Sequence, residues 1–296
     1  MMKGNDVTNS KQKNNSQSSI YKSPLGEQAV LTFYDQILRN WPVPFTTKIV
    51  NTRYGDTFII VNGQENKNAL ILLHGSSSNA LSWIADISQY SQFFRVFAVD
   101  VIGEPGKSAP SRPAWDGPGY AEWMEDVVNG LALEKVSIIG LSQGGWIALK
   151  YATYQPERVN KLVLLTPAGI VPTRGSFILK ALLFSMLGSW GAEKLNRVVF
   201  GNQVIDPLAL EFMNVIMNNF NSRIEKEYLF SDRELMHLSM PTLVVGGLED
   251  AVRPVENIAS RLQRLVPQFK SVMIPEMGHV LAGISGRVLP FLSNSQ

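Results

Sequence analysis

Val136-Ser137-Ile138-Ile139-Gly140-Leu141-Ser142-Gln143-Gly144-Gly145-Trp146-Ile147-Ala148-Leu149 passes from a short apolar run, through a turn with a glycine two places on either side of a serine, into a stretch that reads as a helix to Tyr154. The order predicts a strand, a sharp turn and a helix. The glycines have a physical reason. A serine held in a strained turn projects its hydroxyl only if strand and helix can approach closely, which small residues at these places allow. Gly-x-Ser-x-Gly alone arises often by chance, but the flanking strand, the helix and the extra Gly145 make Ser142 a candidate nucleophile.

Outward from this turn, apolar runs at 69–73, 94–101, 162–165, 242–245 and 271–274 are short, unalternating and often β-branched. Such runs suit a parallel sheet covered on both faces, with helices such as 120–133 and 255–265 between the strands. Ahead of them, 25–39 carries apolar residues at helical spacing until Trp41-Pro42-Val43-Pro44 stops it, and 45–50 with 57–61 flank the turn-like Tyr54-Gly55-Asp56. A leading helix and an antiparallel hairpin follow. The fold class is α/β: a mostly parallel sheet, an antiparallel N-terminal hairpin and helices on both faces. The interval 168–240 holds helical patterns at 177–186 and 208–220 but no convincing strand, and it is too long for a plain connection. It is expected to be an inserted helical cap, with 21–167 and 241–296 forming the core and 1–20 a mobile polar tail. Phe177, Leu182, Leu183, Phe184, Met186, Phe212, Met213 and Met217 could wall an apolar site in that cap or simply pack its helices.

Composition narrows the function. Of 296 residues 45% are hydrophobic and 18% charged, with a formal net charge of +2, so the chain reads as an ordinary globular protein. Its basic residues are scattered among acids, which argues against a nucleic-acid partner. No cysteine occurs, which excludes disulfides, thiolate nucleophiles and cysteine-bound zinc. The first 19 residues are mainly Asn, Ser, Gln and Lys, unlike a secretory signal or a transit peptide, and a cytoplasmic location is expected. The stretch 177–190 is too short to span a bilayer and is broken by Lys180.

A serine hydroxyl needs a base to take its proton and a third group to orient that base. Among three histidines, His74 lies directly after a strand and before Gly75, and His237 lies between Met236 and Leu238, so structural roles suit both. His279 follows the 271–274 strand through Pro275-Glu276-Met277-Gly278, a loop beyond the end of a parallel strand, where catalytic groups collect. It is the expected base. The acid should lie between serine and base in chain order, and Gly246-Gly247-Leu248-Glu249-Asp250 places carboxylates beyond another strand end. Asp250 is the expected acid, with Glu249 as its competitor. An oxyanion needs preorganised N–H donors, and the backbone N–H groups of Gln143 and Ser76, in the loop after Leu73, are the candidates. Gly106-Lys107-Ser108 has part of a phosphate-binding loop, but such a loop needs glycine where this chain has Val101, and Pro105 removes a donor.

With Leu72-Leu73-His74-Gly75, Asp100 to Gly103, Gly140 to Gly145, Pro156-Glu157-Arg158-Val159, Gly247 to Asp250 and Gly278-His279 in order, the chain resembles the α/β-hydrolase superfamily over nearly all of its length after the tail. Trp41-Pro42-Val43, Val99 to Gly103 and Phe230 to Leu235 further resemble bacterial carboxylesterases that act on arylpropionate esters. The superfamily resemblance implies a Ser142, Asp250, His279 triad, an oxyanion hole at Ser76 and Gln143, and a cap controlling access. The expected activity is hydrolysis of small carboxylic esters through an acyl-enzyme, with neither metal nor cofactor. Two alternatives are a carbon–carbon bond hydrolase or acyltransferase with the same triad, and a small-molecule receptor on the same fold. Glu104 and Pro105 both stand between Gly103 and Gly106, where the superfamily commonly has one residue between two glycines, which leaves the shape of that loop open.

Overall fold

The computed structural model describes residues 19–65, 67–203 and 205–294. A helix, α1 (Pro24–Arg39), precedes a hairpin of β1 (Phe45–Thr52) and β2 (Gly55–Asn62). Next come β3 (Ala69–Leu73), α2 (Ile87–Phe93), β4 (Arg95–Val99), α3 (Gly119–Gly130), β5 (Val136–Leu141), α4 (Gln143–Tyr154) and β6 (Val159–Leu165). Among the described residues four α-helices follow without a strand: α5 (Gly175–Ser185), α6 (Gly188–Phe200), α7 (Pro207–Asn219) and α8 (Asp232–Leu235). The chain closes with β7 (Thr242–Gly247), α9 (Val255–Leu265), β8 (Phe269–Ile274) and α10 (Ser285–Ser293).

The strands form one eight-stranded sheet in the order β1-β2-β4-β3-β5-β6-β7-β8. β2 pairs antiparallel with both β1 and β4, and all later pairings are parallel. Burial on both faces explains the unalternating apolar runs of β3, β4, β5, β6 and β7, whereas the 271–274 run departs from that expectation, because β8 is the sheet edge and is only partly buried. In β3, Ile71 and Leu73 enter a core with Trp123 and Met124 of α3 and Ile147 of α4, whereas Leu70 and Leu72 enter a second core with Val30 and Tyr34 of α1 and Val288 of α10.

Boundaries differ from expectation where polar groups end a strand. The 94–101 run stops pairing at Val99, because Asp100 turns inward and accepts from Ala80 N (2.8 Å) and Lys107 N (2.7 Å). Of the polar tail expected over 1–20, residues 1–18 lie outside the described residues. Ile20 is buried, and Tyr21 bridges to Phe220.

The interval 168–240 is tied to the core at its ends: Ala168, Ile170, Phe230 and Leu235 share the cluster of α3 and α4. Phe212 of α7 stacks on Phe33 of α1 at 5.2 Å, so this aromatic packs helices together. Leu182, Leu183 and Met186, by contrast, are exposed. Among the described residues no helix is long and apolar enough to cross a membrane.

Candidate active site

Ser142 stands between β5 and α4 with φ +51° and ψ −108°, a conformation that L-residues rarely hold. Surrounding bonds enforce it: Ser142 N donates to Leu165 O (2.9 Å), and Ser142 O accepts from Trp146 N (3.0 Å) and Ala168 N (3.1 Å). The glycines are required by close backbone approach. A Cβ on Gly144 would lie 2.2 Å from Leu73 O and 2.5 Å from His74 O, and one on Gly140 would lie 2.4 Å from Gly144 O. Gly144→Ala is therefore expected to destabilise the protein by about 3 kcal/mol, the upper end of ordinary overpacking, because backbone must move. Gly175→Ala, where nothing lies within 4 Å, should not lower stability. Thermal melts of the two variants check this, and equal melting temperatures would contradict it.

His279 comes from the loop after β8 and Asp250 from the loop after β7, so the C-terminal ends of β5, β7 and β8 supply the three side chains. Ser142 Oγ lies 3.0 Å from His279 Nε2, and His279 Nδ1 lies 2.8 Å from Asp250 Oδ2. A carboxylate only accepts, so the proton of the imidazole sits on Nδ1 and Nε2 is left to accept from the Ser142 hydroxyl. The Asp250 side chain is fully buried, and its Oδ1 accepts from Val252 N (2.7 Å) and Arg253 N (2.8 Å). Glu249 is exposed and accepts from Asn202 instead (3.1 Å), which separates the two carboxylates that the sequence left adjacent.

His279 is fixed through its backbone as well. Its N–H donates to Val199 O of α6 (2.8 Å), and its carbonyl accepts from Thr166 Oγ1 (3.0 Å). Thr166 belongs to no sequence motif; its position just past the end of β6, beside the serine strand, is the signal that marks it. Ser76 is exposed in the loop after β3, and Gln143 is the first residue of α4. No protein acceptor among the described residues takes the backbone N–H of either one.

The other histidines lie elsewhere. Burial lowers His74 to about 4, and the neutral ring accepts from Val101 N at Nε2 (2.9 Å) and donates from Nδ1 to Gly75 O (2.8 Å), linking the loops after β3 and β4. His237 departs from the structural role expected of it: Leu235 and Leu238 on either side point inward and leave it exposed at the end of α8. A cleft of about 310 Å³ between α5 and the loop after β7 borders Asp250 but neither Ser142 nor His279, so it does not receive a reacting bond.

A profile of the alpha/beta hydrolase fold matches residues 68–282. Carboxylesterase YbfK of Bacillus subtilis is 31% identical over 272 residues, covering 88% of this chain and 92% of its own. Its crystal structure superposes with a TM-score of 0.83 at 29% identity, over 92% of this chain and all (100%) of that one. The crystal structure of naproxen esterase, also from Bacillus subtilis, gives a TM-score of 0.83 at 28% identity, over 90% and 98% of the two chains.

Proposed function

The chain belongs to the α/β-hydrolase fold family, and from that premise we propose that it is a carboxylesterase whose acyl-enzyme forms on Ser142. The observation that carries the reading is the hydrogen-bonded line from Ser142 Oγ through His279 to the buried Asp250, at 3.0 and 2.8 Å. Ser142 Oγ attacks the ester carbonyl as His279 Nε2 takes its proton, and the oxyanion is met by the N–H groups of Gln143 and Ser76. His279 then protonates the departing alcohol. Water then bonds to the acyl carbon as the same nitrogen takes its proton, and cleavage of the bond to Ser142 Oγ, with that proton passed to Oγ, releases the acid and restores Ser142. Asp250 holds the imidazole in the required tautomer and stabilises it when charged.

Residues 168–240 act as a cap over this site. Support comes from the end of α6, where Val199 O binds His279 N and Gln203 Nε2 donates to Val280 O (2.9 Å), so the inserted helices touch the loop that carries the base. The relative named naproxen esterase makes arylpropionate esters the acyl class to try first.

Turnover of p-nitrophenyl butyrate, together with mass spectrometry after a fluorophosphonate, tests the reading. The expected result is steady hydrolysis, stopped by one phosphonyl group on the peptide that holds Ser142. Labelling elsewhere, or labelling of Ser142 with no ester turnover, would overturn it; the second result would favour a receptor.

A further inference from the structure

Glu104 sits in the loop after β4, one of the two residues between Gly103 and Gly106, and is only 3% exposed. One carboxylate oxygen, Oε1, accepts from the side-chain Nε2 of Gln143 at 2.9 Å, and the other accepts from Ser77 N at 2.7 Å. These partners adjoin the two N–H groups assigned to the oxyanion: Gln143 carries one of them, and Ser77 directly follows Ser76. A single buried side chain thus joins the loop after β3 to the first residue of α4.

Both ends of this span need holding. Ser77 has φ +53°, in the left-handed region, where a residue other than glycine stays only if its surroundings fix it. Its Oγ also meets Ser222 Oγ at 2.8 Å, on the segment after α7. Glu104 is itself anchored through its backbone, since Glu104 N donates to Val101 O (3.3 Å) and Glu104 O accepts from Gly106 N (2.8 Å). Burial pushes its carboxyl up to about 7, against the bonds from Gln143 and Ser77 and the charges of Arg112 and Arg223, which pull it down. An ionisable group is costly to keep in such a place, and a bidentate acceptor there holds two N–H donors that an apolar side chain could not.

We propose that Glu104 is a positioning residue of the oxyanion hole, its carboxylate setting the separation and aim of the Ser76 and Gln143 backbone N–H groups by spanning Ser77 and the Gln143 side chain. The proposal rests on the esterase reading of Ser142. A donor displaced by a fraction of an ångström binds the ester as before but meets the oxyanion poorly, so the loss falls on kcat rather than on KM.

Glu104→Met keeps the volume and removes both acceptors. Its kcat on p-nitrophenyl butyrate, per active site titrated by fluorophosphonate, is expected to fall roughly 10- to 100-fold with KM within about threefold of wild type. Glu104→Gln restores the span, because its carbonyl accepts from Ser77 N while its amide donates to a flipped Gln143 side chain, and kcat should return to within about threefold of wild type. Wild-type kcat in Glu104→Met, a loss confined to KM, or equal losses in both variants would overturn the proposal. If Glu104→Met does not fold, Gln143→Ala cuts the same span from its other end while keeping the backbone N–H; a kcat about 10-fold lower supports the proposal, and an unchanged kcat overturns it. The two readings fail separately. Wild-type protein without Ser142-dependent turnover removes the esterase reading and this proposal with it, whereas intact wild-type turnover with unaffected variants removes the proposal alone.

Discussion

Alanine at position 142 is expected to lower kcat for p-nitrophenyl butyrate by about 10⁵- to 10⁶-fold, while the protein folds as before. The hydroxyl is the only group at the turn that can form the acyl-enzyme, so what remains is slow attack by water in a site that still stabilises the oxyanion. Stability should change little, since among the described residues the one protein partner of Ser142 Oγ is His279 Nε2, and the backbone bonds that hold the turn do not involve the side chain. Ser142→Gly goes further: with φ at +51°, glycine relieves strain that serine and alanine share, and the melting temperature should rise as activity disappears. Kinetics and melts of both variants check this pair of outcomes. Residual activity within about 100-fold of wild type would mean that another nucleophile carries the reaction.

The parts of this molecule that were legible beforehand are those written in local pattern. Apolar runs of four to eight residues announce the strands of the sheet, and Gly140 and Gly144 announce a turn in which backbone meets backbone; both are properties of a short window. The Gly-x-Ser-x-Gly turn makes Ser142 a candidate, and Asp250, His279, Ser76 and Gln143 are candidates because they follow strand ends, which is a topological argument. What stayed hidden depends on side-chain direction. Nothing local says that Asp250 turns inward while Glu249 faces solvent, that His237 points away from the apolar residues beside it, or that Thr166 reaches the carbonyl of His279. Glu104 marks the limit most clearly. Its insertion between two glycines signalled an unusual loop, but its meaning lies in contacts with residues 27 and 39 positions away along the chain.

Asp250→Asn should reduce kcat about 10⁴-fold with little effect on stability, and the reason lies in the two backbone donors at Oδ1. Val252 N and Arg253 N both point at that oxygen, at 2.7 and 2.8 Å, so an asparagine must place its carbonyl there to avoid setting an amide against two N–H groups. Its NH₂ then occupies the place of Oδ2, 2.8 Å from His279 Nδ1. A donor in that position requires Nδ1 to accept, which moves the imidazole proton to Nε2 and aims it at Ser142 Oγ. The base is then already protonated where it must take a proton, although the heavy atoms have hardly moved. This tautomer argument separates the variant from Asp250→Ala, which leaves Val252 N and Arg253 N without their acceptor in a buried site and should lower stability as well as kcat. Kinetics with melting temperatures for the two variants provide the check. An asparagine variant within about tenfold of wild type would show that the orientation of His279 does not depend on Asp250.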